Sequence, residues 1–345
     1  MKNQLPASTR MVAGDAGDDR ETIEQLRSAY ARIRTELAKV IVGQHEVLEQ
    51  LLIALFAGGH CILEGVPGLA KTLTISTLAR CLSLTFKRIQ FTPDLMPSDI
   101  TGTEVIQEDR ATGTRAFKFL RGPIFANVIL ADEINRTPPK TQAALLEAMQ
   151  ERQVTLGGKT TPLPEPFFVL ATQVSIEQEG TYPLPEAQQD RFMLSVRMDY
   201  LNEDQEVEVV RASTGAEVVS LDKVISGDDL LEIARTVQAV RLPEALGVYI
   251  VDLVAASRPT VEGAPDFVKE YVVWGAGLRA SQNIALASKS MAAQNARVEV
   301  TLADIRRVIV PVMRHRISLS FRADIDKLTV EGLVRRLLEA VPEPR

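Results

Sequence analysis

The stretch of sequence that decides the fold spans residues 60–72 and is HCILEGVPGLAKT. Its first residues form a short apolar run typical of a buried strand, and the residues that follow it have helical spacing. A tight loop between a strand and a helix points backbone N–H groups at a phosphate, and the helix N-terminus adds its dipole. The sequence therefore predicts a phosphate-binding loop.

The predicted loop comprises Gly65, Val66, Pro67, Gly68, Leu69, Ala70, Lys71 and Thr72. Lys71 would place its ammonium group against the β- and γ-phosphates, and the Thr72 hydroxyl would ligate Mg²⁺. Ala70 stands where the strict motif has glycine, and a residue this small still fits. The alternative is an ordinary strand-to-helix turn that happens to contain lysine and threonine.

A second apolar strand, beginning near Asn127, ends in the adjacent carboxylates Asp132 and Glu133. A charged pair at a strand end is commonly part of a solvated loop, but this one follows the phosphate loop by about 60 residues, which suits two strands of one sheet. Asp132 would hold the Mg²⁺ shell through water, and Glu133 would polarise the attacking water as general base. The two motifs together predict hydrolysis of a nucleoside triphosphate.

Five apolar runs separated by helical stretches predict one parallel sheet covered by helices. The runs are residues 60–63, 86–91, 128–131, 167–172 and 192–196, and the clearest helices between them are 72–82 and 140–151. Two insertions, residues 105–119 and 154–161, have extended ends around glycine and predict hairpins. Two amphipathic helices, one of them spanning residues 23–41, precede the first strand.

Beyond residue 200 helical patterns replace the strand signals, at residues 204–211, 228–240, 244–258, 279–292 and 302–316. The predicted fold class is α/β: a nucleotide-binding core with a five-stranded parallel sheet between helices, followed by a smaller all-α lid domain. The predicted boundaries are a disordered tail over residues 1–20, the core with its two hairpins over 21–200, and the lid over 201–345.

The composition argues against several classes of protein and several cellular locations. The net charge of −6 and the pI near 5.4 argue against a surface built to coat nucleic acid or anionic lipid. The two cysteines, Cys61 and Cys81, lie in apolar segments, which is typical of a reduced compartment. No stretch approaches the roughly 18 apolar residues of a membrane helix, and the N-terminus lacks a signal-peptide pattern. We therefore expect a cytoplasmic protein without a membrane span.

Several segments together resemble the MoxR branch of the AAA+ ATPases. They are GPIFAN at 122–127, ADEINR at 131–136, PKTQ at 139–142, LLEAMQE at 145–151, and EGTYPLPEAQ at 179–188. The likeness extends from about Ile41 to the C-terminus, and Ala70 also matches the family. It implies ATP and Mg²⁺ as ligands and a ring, usually of six subunits, with each ATP at a subunit boundary.

The resemblance also assigns roles to residues outside the two motifs. Arg191 matches the arginine finger, which neutralises charge on the γ-phosphate of the neighbouring subunit. Arg279 lies in a segment that resembles the sensor 2 motif. The simpler alternatives are an ion pair between Arg191 and Asp190, and an ordinary helix-start arginine at Arg279. Val42 and Gly43 resemble the segment that lines the adenine pocket.

The chain departs from the family at the end of the fourth strand. The family has asparagine after Ala-Thr-Gln, where its amide orients the attacking water, and this chain has Val174. Because valine cannot donate a hydrogen bond, we expect slow but nonzero hydrolysis unless Thr172, Gln173 or Ser175 takes over.

The family likeness further implies a chaperone that remodels protein clients, assists metal-cofactor insertion, or matures partners with a von Willebrand factor A domain. The hairpins would touch the client. A DNA-acting motor or loader is an alternative, although the hairpins offer only Arg110, Arg115, Lys118 and Lys159 as cations. An ATP-gated scaffold with slow turnover is another.

Other polar residues predict no further chemistry. His45, His60 and His315 are far apart in the sequence and lack a carboxylate cluster at ligand spacing, so no metal site beyond Mg²⁺ and no histidine-based triad is expected. We expect His60 at a strand end and the other two histidines exposed. The basic stretch at 314–316 predicts a solvated helical face rather than a nucleic-acid site.

Overall fold

The computed structural model describes residues 16–65, 68–108, 115–173, 181–214 and 219–344. The first part contains, in chain order, α1 (Ala16–Ala38), α2 (His45–Phe56), β1 (Cys61–Gly65), α3 (Lys71–Cys81), β2 (Phe86–Gln90), α4 (Pro97–Thr101), β3 (Gly102–Glu108), β4 (Arg115–Arg121), β5 (Val128–Asp132), α5 (Pro139–Glu151), β6 (Gln153–Leu156), β7 (Lys159–Pro162), β8 (Phe168–Thr172), α6 (Glu186–Gln189) and β9 (Leu194–Met198).

The central sheet has the strand order β2-β5-β8-β1-β9, and every neighbouring pair is parallel. The predicted five-stranded parallel sheet is therefore confirmed. Because the strands are parallel, their carboxyl ends meet at one edge of the sheet. The loops that follow β1 and β5 share this edge, with only β8 between the two strands.

Both faces of the sheet are buried at its central strands β5, β8 and β1, which explains why these strands are largely apolar runs, whereas the edge strand β2 is half polar. Side chains alternate between the faces along each strand. Ile62, Ile129 and Val169 face the apolar cluster that includes α5, whereas Leu63 and Leu130 face the cluster formed with α1, α2 and α3. The second cluster continues into the lid helices.

The two insertions are antiparallel hairpins, as predicted. β3 pairs with β4, and β6 pairs with β7. The tip of the first hairpin, residues 109–114, lies outside the described residues. Gly157 and Gly158 turn the second hairpin with φ of 55° and 78°, the positive values that a tight primed turn requires.

After β9 the chain forms the predicted helical lid. Its elements are α7 (Glu203–Thr214), α8 (Gly227–Ala239), α9 (Glu244–Ala256), α10 (Asp266–Tyr271), β10 (Val272–Trp274), α11 (Leu278–Gln294), α12 (Leu302–Met313), β11 (Ser318–Leu319), α13 (Phe321–Ile325) and α14 (Val330–Ala340). α11 packs against α8, α9 and α12 and also reaches α1 and α2, while α12 packs against β9. The lid therefore lies against the α2 and β9 side of the core.

Three findings go beyond the predicted elements. The lid contains the short antiparallel pair β10–β11 in addition to its helices. It also contains α10, α13 and α14, which the sequence analysis did not identify. At the other end of the chain, α1 begins at Ala16, so the last residues of the expected tail are helical. None of the helices in the described ranges is long and apolar enough to span a membrane.

Candidate nucleotide-binding site

The predicted phosphate loop connects β1 to α3. Lys71 is the first residue of α3, and Ala70 at the helix N-cap has a left-handed conformation with φ of 56°. No side chain among the described residues caps this helix end, so its positive dipole end can face an anion. Val66 and Pro67 lie outside the described residues.

Lys71 connects the two predicted motifs electrostatically. Its ammonium group donates a hydrogen bond to the Gly65 carbonyl at the opposite side of the loop. Partial burial lowers the pKa of Lys71, whereas the negative charges of Asp132 and Glu133 raise it. The acid pair therefore lies within electrostatic range of the lysine, at the edge of the sheet that the phosphate loop shares.

The Asp132 carboxylate is held by groups from both neighbouring strands. Its Oδ2 accepts hydrogen bonds from Nη2 and Nε of Arg88 on β2, at 2.6 and 3.0 Å. Its Oδ1 accepts a hydrogen bond from the Thr172 hydroxyl on β8, at 2.6 Å. With 15% of its side chain exposed, Asp132 has a fixed orientation at the edge of the sheet.

Glu133 follows with a left-handed backbone, φ 57°, and its carboxylate also has partners. Gln90 Nε2 donates a hydrogen bond to Glu133 Oε2 at 3.0 Å, and Arg136 Nε lies 3.2 Å from the same oxygen. The backbone N–H of Glu133 donates to Thr172 Oγ1 at 2.8 Å. The Thr172 hydroxyl thus bonds both members of the acid pair and fixes their relative position.

An apolar cavity of about 290 Å³ adjoins the phosphate loop. Val42, Leu69, Met198 and Leu201 are among its lining residues, and further lining residues come from α7. Gly43, next to Val42, is buried with φ of 64°. An apolar cavity beside a phosphate loop suits a flat aromatic base.

The donor set fits a magnesium nucleotide. The carboxylate of Asp132 and the hydroxyl of Thr72 are the hard oxygen ligands that Mg²⁺ prefers. Lys71 and the uncapped end of α3 supply positive charge for phosphates. Within the described ranges, no cluster of three or more histidine, cysteine, aspartate or glutamate side chains could hold a further metal ion.

Arg191 lies at the opposite edge of the sheet. It precedes β9, which runs parallel to β1 with Leu194 opposite Cys61. Arg191 is therefore near the amino ends of the strands, whereas the phosphate loop follows their carboxyl ends. A five-residue strand separates the two edges by about 13 Å.

Arg279 lies at the same edge as Arg191. Its Nη1 is 3.5 Å from Asp190 Oδ2, and Asp190 Oδ1 accepts a hydrogen bond from Arg316 Nε at 2.8 Å. Asp190 thus pairs with Arg279 and Arg316. Arg191 Nε is buried and has no hydrogen-bond partner in the part of the chain that the structure describes.

The predictions about His315 and the basic stretch were wrong. Nε2 of His315 lies 3.0 Å from the Phe192 carbonyl oxygen, and burial lowers its pKa well below the usual value. Arg316 is buried, and half-buried Arg314 donates a hydrogen bond to Glu331 at 2.7 Å. The stretch follows α12, which packs against β9. It therefore lies between the lid and the core and is not a solvated face.

The sequence does not predict several residues of this site. Arg88 and Gln90, which contact the acid pair, lie on a strand that was predicted only as a core element. Arg316 and the α7 residues at the cavity depend on lid packing, which has no local signal in the sequence. Val174, the predicted departure from the family, lies outside the described residues.

Comparison with protein families identifies two matching segments. Residues 60–194 match the family described as "ATPase family associated with various cellular activities (AAA)". Residues 267–337 match the family described as "AAA lid domain". The first segment contains the phosphate loop and the acid pair, and the second contains α11 and α12.

Relatives match almost the whole chain. Chaperone MoxR1 of Mycobacterium tuberculosis is 43% identical over 310 residues, which are 90% of this chain and 81% of that protein. Protein MoxR of Methylorubrum extorquens is 31% identical over 334 residues, 92% and 96% of the two chains. Among solved structures, a candidate ATPase from Cytophaga hutchinsonii superposes with a TM-score of 0.88 at 42% identity and covers 95% of this chain and 99% of its own.

Proposed function

The chain belongs to the MoxR family of AAA+ ATPases, and we propose that it is a Mg²⁺-dependent ATP hydrolase that works as a ring of identical subunits, most simply six, to remodel protein clients. One observation carries the proposal. The uncapped helix end with Lys71 and the carboxylates of Asp132 and Glu133 converge at one edge of the parallel sheet.

Each group at this edge has a distinct part in the proposed reaction. The loop from Gly65 to Thr72 cradles the triphosphate, and Lys71 exchanges its bond with the Gly65 carbonyl for the phosphate oxygens. Glu133 takes a proton from the attacking water once Gln90 releases it. The apolar cavity with Val42 and Gly43 holds the adenine.

Thr72 and Asp132 would hold the Mg²⁺ ion, directly and through water. The bound ion supplies charge neutralisation for the β- and γ-phosphates. Thr172 supports this role because its hydroxyl fixes the Asp132 carboxylate. Arg88 competes for the same carboxylate.

We assign Arg191 and Arg279 to the nucleotide of a neighbouring subunit. Both lie at the edge of the sheet opposite the phosphate loop of their own chain. A rigid sheet keeps Arg191 away from the phosphate loop of its own chain, and the contact with Asp190 keeps Arg279 at the same edge, which supports a contact of both cations with the triphosphate of a neighbouring subunit. A repeated head-to-tail contact gives a ring when its rotation closes, and the proposed assembly is such a ring.

Exposed apolar surface beside both edges supports such a contact. Trp274, Leu278 and Phe321, near Arg279, are 64, 69 and 79% exposed. At the cavity end, Leu73 and Val210 are 47 and 60% exposed. These exposed apolar side chains are available for a contact with another molecule, and a head-to-tail ring would cover both sets.

We further propose that turnover is slow because Val174 replaces the water-orienting asparagine. Val174→Asn should raise the steady-state rate, whereas an unchanged or lower rate would contradict this assignment. The Thr172 hydroxyl already donates to the Asp132 carboxylate and accepts from the Glu133 backbone N–H, so it is poorly placed to substitute for the missing amide.

The client surface is assigned to the two hairpins. Ile106 and Phe117 on the first hairpin are 63 and 76% exposed. Partners with a von Willebrand factor A domain, or proteins that await a metal cofactor, are the client classes that family membership suggests. Stimulation of hydrolysis by such a client, and its loss in Phe117→Ser, would support this assignment. Stimulation by duplex DNA that fades with salt would overturn it.

The central experiment compares ATP hydrolysis and assembly in Lys71→Ala, Glu133→Gln and the native chain. We expect Lys71→Ala to lose ATP binding. Glu133→Gln should retain ATP and the ring but lose turnover by about a hundredfold or more. Normal hydrolysis in Glu133→Gln would refute the catalytic assignment, and an unchanged, very low rate in all three would indicate an ATP-gated scaffold.

Mixed assemblies test whether the arginines act across a boundary. Lys71→Ala subunits keep their arginines, and Arg191→Ala subunits keep their phosphate loop. A 1:1 mixture should recover about a quarter of the native rate, because a quarter of random contacts join two intact halves. No recovery, with particle images that confirm mixed rings, would contradict action across the boundary.

A further inference from the structure

Arg316 binds the segment that carries the proposed arginine finger. It follows α12 in the lid, and its side chain is 1% exposed. Its Nη2 donates hydrogen bonds to the carbonyls of Asp190 and Phe192 at 3.0 and 2.5 Å, and its Nη1 donates to that of Met193 at 3.2 Å. The lid therefore forms hydrogen bonds to the backbone on both sides of Arg191.

The bonding of Arg316 is complete. Its Nε donates to Asp190 Oδ1 at 2.8 Å, and its Nη1 also donates to the carbonyl of Val312. These contacts use all five N–H groups of the guanidinium. Burial lowers the pKa of Arg316, and the Asp190 carboxylate raises it. A buried, fully bonded cation of this kind holds its partners in one geometry.

Asp190 connects Arg316 to Arg279. One carboxylate oxygen is fixed by Arg316, and the other lies 3.5 Å from Arg279 Nη1. The Arg279 side chain is 44% exposed, so it has room to move away from this partner. The next residue, Arg191, has a buried Nε without a hydrogen-bond partner in the described ranges.

We propose that Asp190, fixed by Arg316, is a positioning residue that holds Arg279 beside Arg191, so that one subunit offers its neighbour a preformed pair of cations. This inference rests on the proposed function and deepens it. Asp190 touches no nucleotide itself. It acts through Arg279, which otherwise would sample many rotamers at the start of α11, and the pair then needs little reorganisation to meet the γ-phosphate.

The test is a double-mutant cycle of Asp190→Asn and Arg279→Ala. The asparagine keeps an oxygen for Arg316 Nε but loses the charge that attracts Arg279. We expect kcat to fall about fivefold in Asp190→Asn, as a half-exposed ion pair allows, with KM for ATP unchanged. In the Arg279→Ala background, Asp190→Asn should have no further effect. An unchanged kcat in the single variant, or additive losses in the double variant, would overturn the inference.

Glu186→Gln is the matched control. Glu186 precedes the same segment and also contacts the lid, where Ser318 Oγ donates to its Oε1 at 2.7 Å, but it does not contact Arg279 or Arg316. The kcat of Glu186→Gln should equal that of the native chain. An equal loss in Glu186→Gln and Asp190→Asn would mean that the contact between lid and core, and not the position of Arg279, determines the rate.

A second readout separates positioning from misfolding. In a 1:1 mixture of Asp190→Asn and Lys71→Ala subunits, about a quarter of the contacts join an intact loop to intact arginines and should work at the native rate, and about another quarter join an intact loop to displaced arginines, so the mixture should reach about 0.3 of the native rate. A misfolded subunit could not be rescued in this way. Should Asp190→Asn fail to fold, Asp190→Glu keeps the charge but displaces it, and the same lack of additivity with Arg279→Ala is expected.

The inference and the proposed function fail in different ways. A native chain that hydrolyses no ATP refutes the function. A native chain that responds to Arg279→Ala but is indifferent to Asp190→Asn refutes only the positioning role.

Discussion

Arg88 should compete with Mg²⁺ for the Asp132 carboxylate. Its Nη2 and Nε lie 2.6 and 3.0 Å from Asp132 Oδ2, so a divalent ion and this guanidinium would neutralise the same charge. Arg88→Gln removes the competing cation and leaves the Thr172 bond to the other oxygen intact. We therefore expect tighter Mg²⁺ binding in the variant.

The magnitude follows from the exposure of the pair. The Arg88 side chain is 48% exposed and that of Asp132 is 15% exposed, so solvent screens the attraction substantially. A well-formed pair of this kind contributes about 1 kcal/mol, which corresponds to about a fivefold change in a binding constant. The Mg²⁺ concentration that gives half-maximal hydrolysis should fall by this factor.

The assay is ATP hydrolysis at fixed ATP over a Mg²⁺ titration, repeated at two salt concentrations. Lys87→Gln is the control, since it removes the same charge from the neighbouring position of β2, whose side chain points to the other face. The difference between the variants should shrink at high salt. A half-maximal concentration that rises in Arg88→Gln, or falls equally in Lys87→Gln, would refute the reasoning.

Three further predictions concern binding and stability. Gly65→Ala should weaken ATP binding in a nucleotide titration and lower the free energy of unfolding by about 1–3 kcal/mol, because the new Cβ would lie 2.6 Å from the Met198 carbonyl oxygen. Burial lowers the pKa of His60 to about 4, so below pH 6.5 the unfolded chain binds a proton that the folded chain does not. The free energy of unfolding should therefore fall by about 3 kcal/mol between pH 6.5 and 4. Urea titrations should show this fall in the native chain and not in His60→Asn. Asp304→Ala leaves partly buried Arg297 without its carboxylate and should cost about 2 kcal/mol in urea unfolding, whereas a loss below 0.5 kcal/mol would contradict the importance of this pair.

The parts of the fold that local sequence determines were predicted well. β5 and β8 are uninterrupted apolar runs because both faces of a central strand are buried. The second hairpin was marked by Gly157-Gly158, whose positive φ values only a few residue types adopt readily. α14 was missed although Leu333, Val334 and Leu337 recur at helical spacing and are buried, a signal that the sequence does contain.

The candidate site divides in the same way. Lys71, Asp132 and Glu133 belong to short motifs whose chemistry is local, so their common edge followed once the parallel sheet was predicted. Arg316 and Asp190 are 126 residues apart in the chain, and no periodicity connects them. The basic stretch was interpreted as a solvated face because its composition gives no hint that the core supplies carbonyls and a carboxylate to bury it.

The positions of the charged groups at opposite edges of the sheet explain why the proposed enzyme needs neighbouring subunits. The phosphate loop and the acid pair follow the carboxyl ends of β1 and β5, while Arg191 precedes the amino end of β9, about 13 Å away along a rigid strand. In the proposed enzyme, the catalytic set would therefore be complete only between two chains. Because Arg316 of the lid bonds the carbonyls beside Arg191, a rotation of the lid in one subunit would move the cation offered to the next subunit. In the proposed ring, the hydrogen bonds of Arg316 would thereby couple successive hydrolysis events.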